Sequence, residues 1–205
     1  MNRLFLFDVD STLINQEVIE LIAAHAGVQE KVKEITDRAM AGELDFQASL
    51  KERVYLLKGL PESVIEEVRS DISLTTGAAE LIAELQEHGD NVAVVSGGFS
   101  KVIAPLMETL KIEHFRANTL GIEDGKLSGI VEGAIVDRKA KASYLGELKM
   151  TLTPSQTIAI GDGANDIDMV MTADIGIAFC AKDALNDVAD VVIKKRDLRE
   201  ILNYL

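Results

Sequence analysis

Short apolar runs alternate along this chain with longer stretches in which apolar residues recur every three or four positions. The short runs are Leu4–Val9, Val92–Ser96, Arg116–Leu120, Thr157–Ile160 and Ile175–Phe179, with a brief Val191–Ile193 near the end. Each is too short for a helix and mostly apolar, as expected of strands covered on both faces. Helical patterns lie between them. Thr75-Thr76-Gly77 precedes one that carries Leu81, Ile82 and Leu85 on one face and stops at Gly89. Ser100–Leu110 and Lys139–Leu148 are of similar length, and Pro105 is expected to kink or shift the first of them. The alternation predicts an α/β fold, a Rossmann-like parallel sheet flanked by helices.

Two segments interrupt it. Between the first strand and about residue 74 no convincing strand occurs. Four helical patterns take its place, near Glu17–Ala26, Glu30–Met40, Phe46–Leu57 and Pro61–Ser70. Asp45 suits the N-cap of the third, and Pro61 the first position of the fourth. A parallel crossover needs only about a dozen residues, and roughly sixty are far too many. The excess reads as an inserted helical-bundle cap domain, residues 15–74, within a core made of 1–14 and 75–205. The second interruption, Thr119–Val136, reads as a β-hairpin turning at Glu123-Asp124-Gly125-Lys126.

Composition narrows the function classes. The 205 residues, 47% hydrophobic and 27% charged, suffice for one core plus a small insertion. With 34 acidic against 21 basic residues the net charge is −13, a field that repels nucleic-acid backbones and anionic lipid. No nucleic acid and no membrane is therefore expected as a partner. No apolar stretch approaches the ~20 residues that span a bilayer, and the N-terminus lacks a signal-peptide pattern. One cysteine, Cys180, excludes an internal disulfide and a zinc site built on paired cysteines. The chain reads as cytoplasmic, a monomer or homodimer.

Candidate chemistry sits at strand ends. The first strand runs into Asp8-Val9-Asp10-Ser11-Thr12-Leu13, two carboxylates on alternate residues where burial is costly unless something neutralises them. Alone, this could be a turn in which Asp10 or Ser11 caps a helix. It is not alone: the fourth strand runs into Gly161-Asp162-Gly163-Ala164-Asn165-Asp166, with Asp168 shortly after. In an open parallel sheet such strand ends converge on one crevice. Asp8, Asp10, Asp162 and Asp166 would repel one another there, and a hard divalent cation with oxygen ligands resolves the conflict. Mg²⁺ is the usual choice where a phosphate shares the site. The second strand ends in Ser96-Gly97-Gly98 before a helix, a hydroxyl and backbone N–H groups suited to an anion. Lys141 can add a cation to that phosphate, although by itself it reads as a solvated surface lysine. His25, His88 and His114 lack the spacing of a metal trio, and Cys180 suits a small buried side chain.

Together these motifs resemble the haloacid dehalogenase superfamily, whose order they follow, and imply its core fold (HAD-like) with a cap. Within it the chain is similar to the phosphoserine phosphatases over residues 4–204. Further matches are Met40-Ala41-Gly42, Leu44-Asp45-Phe46, Lys51-Glu52-Arg53-Val54, Asp124-Gly125-Lys126-Leu127 and Ala178-Phe179-Cys180-Ala181-Lys182. The resemblance implies a small-molecule substrate, L-phosphoserine, hydrolysed through an aspartyl phosphate in serine biosynthesis. Asp8 would be the nucleophile and Asp10 the general acid and base. Mg²⁺ would be held by Asp8, the Asp10 carbonyl and Asp162, with Asp166 in support. Ser96, Gly97, Gly98, Lys141 and Asn165 would bind the phosphate. Glu17 would pair with the substrate ammonium and Arg53 with its carboxylate, under an apolar wall of Met40 and Phe46.

Two departures from the resembled pattern stand out. Many bacterial relatives carry an N-terminal regulatory domain, whereas here the catalytic strand starts at Leu4, so no such module is expected. The Met150–Gln156 loop is also short. Other readings keep the chemistry on another phosphomonoester such as phosphohomoserine, or transfer the phosphoryl group to an alcohol. A receiver-like phosphoaspartate domain would lack the cap and the paired aspartates.

Overall fold

The computed structural model describes residues 2–205. Seven strands form one sheet: β1 (Arg3–Phe7), β2 (Asn91–Phe99), β3 (His114–Glu123), β4 (Lys126–Glu132), β5 (Gln156–Gly161), β6 (Ile175–Phe179) and β7 (Val191–Ile193). Their order is β4-β3-β2-β1-β5-β6-β7, parallel throughout except for the β3–β4 hairpin. Because side chains alternate along a strand, β1 feeds two cores. Phe5 and Phe7 pack with Leu81, Ile82 and Ile103 on one face, and Leu4 and Leu6 pack with Leu145, Leu148 and Met169 on the other. Those partners lie on α5 (Ala78–Glu87), α6 (Ser100–Thr109), α7 (Arg138–Leu152) and α8 (Ile167–Thr172), so the strands are covered on both sides as their composition requires. No helix among the described residues is long and apolar enough to cross a membrane.

Between β1 and α5 the chain forms α1 (Val18–His25), α2 (Gln29–Met40), α3 (Phe46–Tyr55) and α4 (Val64–Arg69). Asp45 caps α3 as its residue type predicts, its carboxylate accepting from the Ala48 N–H at 2.8 Å. The bridge between Ile14 and Leu74 closes the base of this excursion. A short helix, α9 (Asp183–Asn186), and a terminal turn of 3₁₀ helix over Leu198–Tyr204 complete the chain.

Three local expectations need correction. Pro61 does not start a helix: it bridges Lys126 in an isolated antiparallel pair, and α4 begins only at Val64. The adjoining Leu60 carbonyl accepts from the Leu127 N–H at 2.8 Å, so pairing with β4 holds this segment extended. Strand β2 does not end at Ser96 but continues to Phe99, with an irregular register against β3 between Val95 and Phe99. Gly97 and Gly98 therefore lie in a bulged strand that leads directly into α6, with Phe99 as its N-cap. Helix α7 continues to Leu152, leaving only Thr153–Ser155 before β5. Pro105 sits inside α6, whose start at Ser100 is where the pattern placed it. Its ring nitrogen cannot bond the Lys101 carbonyl, and the Arg69 guanidinium donates to that carbonyl instead. The hairpin turn is as expected, with Asp124 (φ 50°) and Gly125 (φ 72°) both left-handed, the geometry that matches strand twist.

Candidate active site

β1 is flanked by β2 on one side and β5 on the other: the chain builds outward from β1 to β4, then crosses back to β5 and builds outward to β7. A crevice opens at such a reversal, at the carboxyl ends of the strands. The motifs after β1, β2 and β5 all end there. A small cavity is walled by Asp8, Asp10, Gly97, Gly98, Asp162 and Asn165 from the core and by Glu17, Met40, Phe46 and Arg53 from the helical segment. Sequence positions more than 150 residues apart thus share one enclosure.

Lys141 is the centre of its charge balance. This side chain is fully buried on the first turn of α7, where Asp137 caps the helix by accepting from the Ala140 N–H at 2.9 Å. Its ammonium lies 2.9 Å from Asp8 Oδ1 and 2.7 Å from Asp166 Oδ1. Burial opposes its charge, but the Asp166 and Asp8 carboxylates outweigh that and hold its pKa above the ordinary lysine range. It is not a solvated surface lysine.

Asp166 is committed on both oxygens. Oδ1 accepts from Lys141, and Oδ2 accepts from the backbone N–H groups of Asp162 (3.0 Å) and Gly163 (3.1 Å). A β-carbon at Gly161 would overlap the Asp166 carboxylate, which is why the strand must end in glycine here. Asp166 thereby fixes the loop that carries Asp162. Asp168 points elsewhere, to an ion pair with Arg138.

Asp8, Asp162 and Asp166 bring carboxylate oxygens within 4.8 Å of one another, all buried. Burial raises the Asp8 carboxyl to about 7, helped by Asp166 and opposed by Lys141. Burial, then Glu17 and neighbouring aspartates, push Asp162 well above the carboxylate range. Buried carboxylates disfavoured as anions and clustered around hard oxygen donors fit a divalent cation. Asn165 adds a buried Oδ1 that no described protein group satisfies.

Asp10 differs from Asp8 in environment. Burial first, then Glu17 and Asp8, raise its carboxyl well above the ordinary value. Among the described residues its only donor is the Val18 N–H at 3.4 Å. Glu17, also raised by burial, accepts from Ser11 Oγ at 2.6 Å. Ser11 takes φ 56°, the strained turn that swings the chain after the two aspartates. Ser96 lies behind the cavity wall: fully buried, its Oγ accepts from the Gly98 N–H at 2.8 Å.

Sequence reading passed over three supports. Asn118 is buried within β3 and joins two of the motifs, donating to the Gly97 carbonyl (2.8 Å) and accepting from the Val136 N–H (2.8 Å). A lone amide in an apolar strand was the available signal. Gln47 of α3 donates to the Asp137 carboxylate at 2.6 Å, tying the helical segment to the cap of α7. Thr36 meets Arg53 across α2 and α3 at 2.9 Å.

Comparison with known proteins agrees with this geometry. The family model of haloacid dehalogenase-like hydrolases matches residues 5–171. A phosphoserine phosphatase of Methanocaldococcus jannaschii is 48% identical over 205 residues, covering 99% of this chain and 97% of that protein. One of Streptomyces coelicolor is 49% identical over 99% of this chain, which spans 50% of its length. A solved structure described as a phospho-aspartyl intermediate analogue of phosphoserine phosphatase superposes with a TM-score of 0.96 at 48% identity, over 100% of this chain and 99% of that one. The chain belongs to the haloacid dehalogenase-like hydrolases and, within them, to the phosphoserine phosphatases.

Proposed function

We propose that this chain hydrolyses L-phosphoserine to serine and phosphate through a phosphoryl group carried on Asp8, the dephosphorylation that completes serine biosynthesis in the cytoplasm. The observation that carries the reading is the buried ammonium of Lys141 held between Asp8 and Asp166 at the end of β1. A carboxylate approaching a phosphate dianion meets like charge, and a fixed cation beside it offsets the repulsion where the transition state needs it.

Asp8 attacks phosphorus as the P–O bond to the seryl oxygen breaks. Asp10, whose buried acidic surroundings favour its protonated form, donates its proton to the departing alkoxide. In the second half Asp10 takes a proton from water, the water oxygen bonds to phosphorus, and the acyl-phosphate bond breaks to restore Asp8. Two displacements replace one difficult step. Asp8, the Asp10 carbonyl and Asp162 would hold Mg²⁺, with Asp166 positioning Asp162. When bound, the metal supplies charge neutralisation and Lewis acidity at the phosphoryl oxygens. Gly97, Gly98 and the amide N–H of Asn165 complete the phosphate pocket, with Ser96 behind its wall accepting from the Gly98 N–H.

Residues 15–74 act as the cap in this reading. Arg53 is 2% exposed, yet its protein hydrogen bonds among the described residues go only to neutral oxygens, on Ser49 and Thr36. A buried guanidinium without a carboxylate partner suits a substrate carboxylate. Glu17 supplies the matching acid for the ammonium, and Met40 and Phe46 exclude water.

The test is phosphate release from a panel of small phosphomonoesters, with Mg²⁺ and with chelator, alongside acid-quenched trapping of phosphoenzyme. Preference for phosphoserine, loss of activity on chelation and no trapped phosphoenzyme in Asp8→Asn are expected. Turnover by Asp8→Asn at the wild-type rate would overturn the assignment.

A further inference from the structure

We propose that Thr36 is a positioning residue that sets the plane of Arg53 and so decides how strongly the enzyme prefers a phosphomonoester bearing a carboxylate. The inference rests on the reading of Arg53 as the carboxylate's partner.

Thr36 lies on α2 and Arg53 on α3, exposed by only 1% and 2%. A threonine hydroxyl has one proton to give. Here it goes to the Val32 carbonyl one turn back, at 2.9 Å, the usual local bond of a helical threonine. Toward Arg53 Nη1, also at 2.9 Å, the oxygen can therefore only accept. Arg53 Nε donates to the Ser49 carbonyl at 3.2 Å, within its own helix. Two neutral acceptors on two helices thus fix the guanidinium plane. Nη2 has no protein acceptor among the described residues, on a side chain that lines the cavity with Asp8, Asp10 and Glu17.

The arrangement matters because a guanidinium grips a carboxylate through a planar fork whose value depends on orientation. Without the Thr36 acceptor, Arg53 keeps its charge and its burial but loses one of the two contacts that aim it. The buried Nη1 would then compete for the nearest oxygen, with the raised, protonatable carboxyl of Glu17 among its neighbours in the electrostatic field. Among the described residues the Thr36 hydroxyl bonds only Val32 and Arg53, and neither Asp8, Asp10 nor Lys141, so the phosphoryl chemistry should be indifferent to it.

Thr36→Val is close to isosteric and removes the hydroxyl, whereas Thr36→Ser retains it. Steady-state kinetics on L-phosphoserine and on p-nitrophenyl phosphate, which has no carboxylate, separate the possibilities. For Thr36→Val the expected result is a loss of about tenfold in kcat/KM on phosphoserine, carried by KM. Its activity on the aryl phosphate should stay within about twofold, and Thr36→Ser should behave as wild type on both. Equal loss on both substrates, or no loss on phosphoserine, overturns the proposal. Arg53→Ala assayed on the same pair tests the underlying reading separately. If that variant loses both activities equally, Arg53 is not the carboxylate's partner. If it is selective while Thr36→Val is not, only the role of Thr36 falls.

Discussion

The ring of Phe46 rests against Gly97 so closely that a β-carbon on Gly97 would sit 2.8 Å from Cζ. One residue belongs to the first turn of α3 and the other to the bulged end of β2. The end of β2 and the helices above it are therefore in direct contact, and the glycine is the reason they can be.

Gly97→Ala should hold the two apart. Its backbone needs no left-handed conformation, so the fold survives while the Phe46 ring must move. A rise in KM for phosphoserine of about tenfold is expected, the scale of a small steric misfit in a packed site. In the double variant with Phe46→Ala, the added methyl should cost little beyond Phe46→Ala alone. Additive losses in that cycle would show that the contact does not matter.

Lys141→Met removes the cation that two buried carboxylates share. Breaking such a network from one side leaves uncompensated charge, and a loss of about 3–5 kcal/mol in unfolding free energy is expected near pH 8. The loss should shrink at lower pH as Asp8 takes up a proton. Urea unfolding at pH 8 and pH 6 reads both; equal losses at the two pH values contradict the charge argument.

Metal stabilisation should grow with pH. In the metal-free protein the Asp8 pKa is raised from an unfolded value of 3.8 to about 7 by burial and Asp166. A raised carboxyl contributes stability that is full below the unfolded pKa and disappears as pH rises through the folded one. Asp10 and Asp162 act in the same direction. Metal-free protein therefore weakens between pH 4 and above pH 7, while Mg²⁺ would restore what the exposed repulsion costs. The difference in Tm between Mg²⁺ and chelator should be larger at pH 8.5 than at pH 6. A pH-independent difference would remove the carboxylates from the metal site.

Much of the site was legible because its residues are neighbours in the chain. Asp8 and Asp10, or Gly161 through Asp166, are short motifs at strand ends, and the period of the apolar residues located those strands. The Asp45 cap and the Asp124-Gly125 turn were readable for the same reason, since each is satisfied within a few residues. Pro61 was misread because its environment is set by β4, more than sixty residues later in the chain. The end of β2 was misread because pairing with β3 continues past two glycines that locally look like a stop. Asn118, Gln47 and Thr36 carried no motif at all; each matters through one partner from a distant element.

Local chemistry alone thus determined which residues are acidic, which turns are tight and which runs become strands, because those preferences are settled over one or two turns of backbone. Tertiary structure decided that Lys141, half-hidden among charged residues in the chain, becomes a fully buried counter-ion, and that buried Arg53 hydrogen-bonds, among the described residues, only neutral oxygens. Those outcomes depend on which surfaces exclude water, and that exclusion exists only once sheet and helices have closed around them.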